Sequence, residues 1–316
     1  MNTRSALACV ALVAAVAAAT ADATSPAIAR AAVGSSPVAA PAISDCTPGD
    51  LRASLRPWGP LPVPAQMPVG SPMARIVGRG YLIAGVGEDT YPFAVRGEDM
   101  EPEGFDIDLA RDIAEAIFGN REQVVFRPAL GVTRFDGLTS GQVDLVISAV
   151  TITCNRREQV EFSAVYYEAG QRILVNRGSA VTGMAELRDK KVCAVRGSTS
   201  LGKILSDPAK PVPVGAATTT DCLMMLQLGA VDAVSTDDTL LAGMAEQDPQ
   251  TEIVGPRLTE EPYGVAVNKK DAPDLVRFIN AVLERRVEDG RWRASYERWL
   301  APLGPPPPPP TPQYRD

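Results

Sequence analysis

One pattern occurs twice in this chain and restricts its fold more than any other feature. "LTSGQVDLVISAVTIT" (138–153) and "LQLGAVDAVSTDDTLL" (226–241) each read as a helix, a glycine turn, Val-Asp and a buried strand whose carboxyl end turns polar. Strand and helix signals alternate around both copies. "YLIAGVG", "QVVFRPA" and "KKVCAVRG" are short buried strands. In "GFDIDLARDIAEAIFG", Phe105, Leu109, Ile113 and Ile117 recur every four residues, which predicts an amphipathic helix stopped by Gly119. Residues Ala272 to Leu300 predict a long closing helical region. Such βαβ alternation implies an α/β fold with largely parallel sheets. Ligands of open α/β sheets bind beyond the carboxyl ends of the strands, where helix N-termini also point. Two such ends, one in each half of the chain, can face one another across a cleft.

The residues at those ends suggest the ligand. After "SAVTIT", Thr151 and Arg156 bring a hydroxyl, backbone N–H groups and a planar five-donor fork to a strand-to-helix junction, a set suited to a carboxylate. A solvated surface arginine is the plainer alternative. The second copy ends on Asp237 and Asp238. Asp237 is the candidate acceptor for a buried ammonium, and Asp238 the expected N-cap of "TLLAGMAEQ", unless both serve as caps. In "CAVRGSTS", Gly197, Ser198, Thr199 and Ser200 follow a strand and open a helix, making another carboxylate cradle. "GVGEDTYPF" supplies Tyr91 and Phe93 as apolar walls, with Glu88 or Asp89 as ammonium partner. Arg96, Arg134 and Arg196 are candidates to neutralise an acidic ligand side chain.

Composition removes several other functions. A net charge of −7 over 316 residues leaves no basic cluster to neutralise a run of phosphates, so nucleic acid is not an expected partner. The absence of histidine removes the commonest general base and zinc ligand. Arg4, an apolar run from Ala6 to Ala19, and the small-residue site Ala21-Asp22-Ala23 read as a secretory signal over 1–23, cleaved before Thr24. Export leaves Cys46, Cys154, Cys193 and Cys222 in the mature chain, an even number that predicts two disulfides. No C-x-x-C pair is present, so no metal is expected. Residues 24–71 are rich in Pro, Ala, Ser and Gly and read as a linker, and "LGPPPPPPTPQYRD" as an extended, solvated polyproline tail over 301–316.

Taken together, "LIAGVGEDTYPF", "GFDIDLARDIAEAIFG", "VDLVISAVTITCNRREQVEFSAVYYEAGQRILV", "LRDKKVCAVRGSTSLGKIL", "LGAVDAVSTDD", "EEPYGVAVNK" and the closing "EDGRWRASYERWL" resemble the polar-amino-acid-binding family of ABC-transporter solute-binding proteins. The likeness spans about Arg75 to Leu300 and is greatest to glutamine/glutamate-binding lipoproteins of actinobacteria. It implies a two-lobed, periplasmic-binding-protein type II (Venus flytrap) fold closing on one free amino acid. Lobe one would be 72–165 plus 264–300 and lobe two 170–262, with a two-stranded hinge at "YYEA" and "EEPYG". Thr151 and Arg156 match the family's α-carboxylate binders and Ala149 its preceding carbonyl position. Gly197, Ser198 and Thr199 match the second cradle, and Asp237 the α-ammonium acceptor. Gly87, Thr90 and Tyr91-Pro92 depart from the family's Asp, aromatic and Pro-Pro, so Glu88, Asp89 or Tyr91 would substitute. Cys9 precedes the apolar run instead of ending it, so "ALAC" is a poor lipobox. The expected disulfides are Cys193 with Cys222, strand to neighbouring helix in lobe two, and Cys46 with Cys154.

The expected role is therefore an exported, monomeric binding protein without cofactor. It would deliver glutamate, aspartate, glutamine or asparagine to an ABC-transporter permease. An amino-acid sensor reporting to a membrane partner is the alternative, and a lyase or dehydratase on the same fold a third; the latter needs an acid/base pair that does not stand out.

Overall fold

The computed structural model describes residues 51–316. β1 (Ala53–Ser54) and α1 (Pro72–Arg79) precede the first core strand, β2 (Leu82–Val86). The short pair β3 (Val95–Arg96) and β4 (Pro102–Glu103) leads to α2 (Phe105–Phe118). That helix buries Phe105, Leu109, Ile113 and Ile117, the face read from their spacing, and ends on Gly119. Next come β5 (Val124–Pro128), α3 (Asp136–Thr139), β6 (Leu145–Ile147), α4 (Cys154–Gln159) and β7 (Glu161–Phe162).

β8 (Tyr167–Ala169) carries the chain into a second sheet. That lobe holds β9 (Gln171–Asn176), β10 (Lys191–Val195), α5 (Thr199–Ser206), β11 (Val212–Ala216), α6 (Thr219–Gln227), β12 (Ala233–Asp237), α7 (Asp238–Gln247) and β13 (Thr251–Val254). β14 (Glu261–Tyr263) returns antiparallel to β8, with Tyr263 opposite Tyr167, and β15 (Ala266–Val267) rejoins the first sheet. The crossing segments are "YYEA" and "EEPYG". The closing helical region is interrupted at Asp289 and Gly290, giving α8 (Ala272–Glu288) and α9 (Arg291–Trp299).

The two five-stranded sheets have equivalent topologies, β5-β2-β6-β15-β7 and β11-β10-β12-β9-β13. In each, four strands run in one direction and a single strand, β15 or β9, runs against them, so the sheets are largely parallel, as the alternation implies, with one exception apiece. The cause is topological: β9 and β15 each continue directly from a hinge strand and enter their sheets against the βα units. The predicted Cys193–Cys222 disulfide joins β10 to α6. The other expected bridge involves Cys46, which, like the secretory signal, lies outside the described residues.

Residues 51–71 and the C-terminal tail keep many exposed residues, as expected, but are tied to the body and to each other at particular points. β1 pairs in parallel with β16 (Gln313–Tyr314), Ala53 opposite Gln313. Ser54 is fully buried: its hydroxyl donates to the Phe162 carbonyl at 2.9 Å and accepts from Asn280 Nδ2 at 2.9 Å. Tyr314 donates to Glu284 at 2.7 Å, and Asp316 pairs with Arg277. Pro309, Pro310 and Pro312 border an open cavity together with Leu283, Val287 and Trp292. No periodicity announces the pairing of β1 with β16, because the partners stand as far apart in the chain as Arg56 and Asp316, 260 residues. Among the described residues, no helix is long and apolar enough to cross a membrane.

Candidate functional site

The carboxyl ends of β6 and β12 face each other across a cavity between the lobes, bordered by Asp89, Arg134, Ala149, Thr151, Arg156, Ser198, Thr199 and Asp237 among others. Its free space, measured at the centre of a water-sized sphere, is about 50 Å3. That is room for roughly three or four water molecules.

In the first lobe, β6 stops at Ile147, and Ala149 takes the left-handed conformation at φ 44°. Its N–H donates to Asp106 at 2.8 Å. Asp106 is fully buried and also accepts from the Tyr166 hydroxyl at 2.8 Å; burial raises its carboxyl to about 7 despite both bonds. Thr153 caps α4, its hydroxyl accepting from the Arg156 N–H at 3.3 Å. The Arg156 guanidinium donates to the Thr151 carbonyl at 2.6 Å and, across the cleft, to the Gly197 carbonyl at 3.5 Å. The two threonines that end the first apolar run therefore serve different purposes, Thr151 bordering the cavity and Thr153 starting the helix. Arg134, on the turn between β5 and α3, is tied by its Nε to the Gly131 carbonyl at 3.3 Å. Burial, then the like charge of Arg156, lowers its guanidinium to about 9, which leaves it a cation at neutral pH.

In the second lobe, Ser198 caps α5 by accepting from the Leu201 N–H at 3.0 Å, and Thr199 donates to Glu261 at 2.9 Å. Asp237 is buried at the end of β12. Its Oδ2 accepts from the Tyr263 hydroxyl, while its Oδ1 has no hydrogen-bond partner among the described residues. Burial, and then the neighbouring charge of Glu261, raises this carboxyl to about 7.

Asp238 is not a cap. β12 runs directly into α7, which leaves Asp237 in the cap position, and Asp238 accepts from the Gly170 N–H at 3.3 Å and from Arg257 at 2.7 Å. The "GVGEDTYPF" loop also behaves differently from expectation. Only Asp89 and Thr90 of it border the cavity. Asp89 Oδ2 accepts from the Thr219 and Thr220 N–H groups at 2.9 and 3.3 Å, so it grips the start of α6 on the opposite lobe instead of meeting an ammonium. Glu88 lies outside, paired at 2.8 Å with Arg96, whose own charge is thereby satisfied at the surface. Tyr91 also lies outside, packed on α7 at Gly243. Phe93 is buried among Phe105, Tyr167 and Tyr263, and Arg196 is exposed. Gly197 reaches the cleft through its carbonyl.

Sequence reasoning missed Thr218, Thr219 and Leu240 on the wall, and Asp106 and Tyr263 behind it. The Thr218–Asp221 capping box of α6 was a readable signal. Nothing local marks Tyr263.

Two mixed α/β lobes on a two-stranded hinge, with a polar cavity between opposed strand ends, define a protein that encloses a small polar solute. Residues 82–302 match bacterial extracellular solute-binding proteins, family 3, and the chain belongs to that family. It is 36% identical over 230 residues to the ABC transporter glutamine-binding protein of Bacillus subtilis, covering 72% of this chain and 84% of that protein. It is 30% identical over 235 residues to the glutamate/glutamine/aspartate/asparagine-binding protein of Rhodobacter capsulatus, covering 71% of this chain and 69% of that one. Among solved structures, an ancestral arginine-binding protein bound to glutamine matches with a TM-score of 0.65 at 35% identity, over 70% of this chain and 98% of that one. The L-cysteine solute receptor of Neisseria gonorrhoeae matches with a TM-score of 0.70 at 28% identity, over 73% of this chain and 94% of that one.

Proposed function

We propose that this protein captures a free acidic amino acid, glutamate or aspartate, outside the cytoplasm and presents it to an ABC-transporter permease. One observation carries the reading. Arg134 and Arg156 both border the cavity, and the hydrogen bonds that hold their guanidinium groups end on the backbone carbonyls of Gly131, Thr151 and Gly197. Neither forms a salt bridge with a carboxylate among the described residues. Two like charges in a poorly solvated space are unfavourable until an anion joins them. A ligand with two carboxylates and one ammonium meets this arrangement, with the ammonium on the open Oδ1 of Asp237. Arg156 and Thr151 then take the α-carboxylate and Arg134 the side-chain carboxylate. Since the anionic and cationic partners stand on different lobes, closure and binding are one event. Micromolar affinity corresponds to about −8 kcal/mol, within reach of a few charge-assisted hydrogen bonds after ordering costs. Relatives named for glutamate and aspartate, alone or together with glutamine and asparagine, support the ligand class.

Calorimetric titration against the twenty amino acids tests the reading. L-glutamate and L-aspartate are expected to bind most tightly, and Arg134→Ala to lose their advantage over L-glutamine by about tenfold or more. Tightest binding of arginine, lysine or cystine would refute it.

A further inference from the structure

We propose that Tyr263 is a positioning residue: its backbone is locked to the carboxylate-binding jaw while its hydroxyl holds one oxygen of Asp237, leaving the other free for the ligand's ammonium. The inference rests on the reading of Asp237 given above and goes beyond it, since Tyr263 does not border the cavity.

Three observations meet on this residue. Its backbone bridges to Thr151, flanked by the Ile152 N–H donating to the Pro262 carbonyl at 2.8 Å and the Gly264 N–H donating to the Val150 carbonyl at 3.1 Å. The last residue of the second hinge strand is thus fixed to the strand end that carries the anion site. Its side chain is fully buried, ringed by Phe93, Tyr166 and Tyr167 at centroid distances of 5.5, 6.2 and 5.9 Å, so the ring has little freedom to turn. Its hydroxyl reaches the other jaw, donating to Asp237 Oδ2, with Thr239 Oγ1 3.4 Å away. One residue therefore spans from Thr151 to Asp237, the two ends of the zwitterion site.

The same bond bears on the charge of Asp237. A buried carboxylate with one oxygen unpartnered favours its protonated form, in which it cannot accept an ammonium. Glu261 and Asp238 push the same way, and Arg156 opposes them more weakly than Glu261 acts. Arg134 also acts on Asp237 by charge. The Tyr263 hydroxyl is the contact that lowers this carboxyl most, and burial raises the phenol well above its ordinary range, so it remains a donor.

Tyr263→Phe deletes the hydroxyl and keeps the ring packing. In ligand-free protein, the Asp237 carboxyl midpoint, read by carbon NMR against pH, is expected to rise by about one unit. Calorimetry with L-glutamate at pH 7 is expected to show about tenfold weaker binding, recovering in part as the pH is raised. An unchanged Asp237 midpoint overturns the inference, whether or not affinity falls, because the hydroxyl then acts only through packing. Asp237→Asn, measured in parallel, separates the two readings. If it binds L-glutamate like the wild type, the ammonium assignment itself fails. If it loses binding while Tyr263→Phe matches the wild type, only the role of Tyr263 is overturned.

Discussion

Gly243→Ala sets helix propensity against lobe closure, and the two predict opposite results. Gly243 lies inside α7 of the second lobe, under the Tyr91 loop of the first. A Cβ there would sit 2.3 Å from the Tyr91 carbonyl oxygen and 2.9 Å from both its carbonyl carbon and Cδ1. Ordinary contact starts at 3.4 Å, so the two lobes must part by about 1 Å at this point. With the lobes apart, the same methyl meets nothing from Tyr91 and replaces the residue that costs a helix interior about 0.5–1 kcal/mol relative to alanine. The ligand-free protein should therefore keep or slightly raise its Tm, by about 2–4 °C at most. Overpacking of this kind costs about 1–3 kcal/mol, and it falls on the closed form alone. Affinity for L-glutamate should drop roughly 5- to 150-fold. Calorimetry reads the affinity, and X-ray scattering with saturating ligand reads the compaction. Gly202→Ala is the control, because Gly202 is also inside a helix and its Cβ would meet nothing within 4 Å. Wild-type affinity in Gly243→Ala would refute the reasoning, and so would an equal loss in the control.

Three further outcomes are expected. Arg156→Ala should abolish amino-acid binding while leaving the Tm within a few degrees, since its hydrogen bonds end on carbonyls that border a polar, water-accessible cleft; retained affinity in calorimetry would count against the assignment. Asp106 and Asp237 both titrate near 7 in the folded chain, above their unfolded values near 4, so folding is favoured below about pH 4 and this contribution is lost as pH rises through 7. Thermal melts of ligand-free Asp237→Asn at pH 7.5 should accordingly show a higher Tm than wild type, by up to about 4 kcal/mol in stability, and a weaker rise in Tm on acidification; a lower Tm contradicts the argument. Replacing Cys193 and Cys222 by alanine opens a bridge spanning 29 residues within one lobe and should cost about 3–4 kcal/mol in denaturant unfolding, with little change in ligand preference.

The parts of the site that a reader of the sequence can reach are those encoded within a few residues. Thr151, Arg156 and Asp237 stand where an apolar strand stops abruptly on polar groups, and all three border one cavity. The four-residue spacing of α2 and the two turns in which Gly is followed one residue later by Val-Asp are equally local. The loop at Glu88 to Tyr91 shows the limit of such reading. Its carboxylates look available in sequence, yet Glu88 meets Arg96 eight residues on, and Asp89 meets backbone N–H groups 130 and 131 residues on. The pairing of β1 with β16 fails for the same reason: neither two-residue strand carries a period, and each lies near the opposite end of the chain from its partner.

The sequence by itself determined that alternating strands and helices would build two similar halves, each presenting a charged strand end, because periodicity and strand termination are set by neighbouring residues. Tertiary structure decided which charges remain available. Packing of the two lobes occupies Asp89 with α6 and gives one oxygen of Asp237 to Tyr263, while Arg134 and Arg156 are left facing a shared space. Electrostatic pairing depends on distances of a few ångströms between residues far apart in the chain, and those distances exist only after the lobes have folded and met.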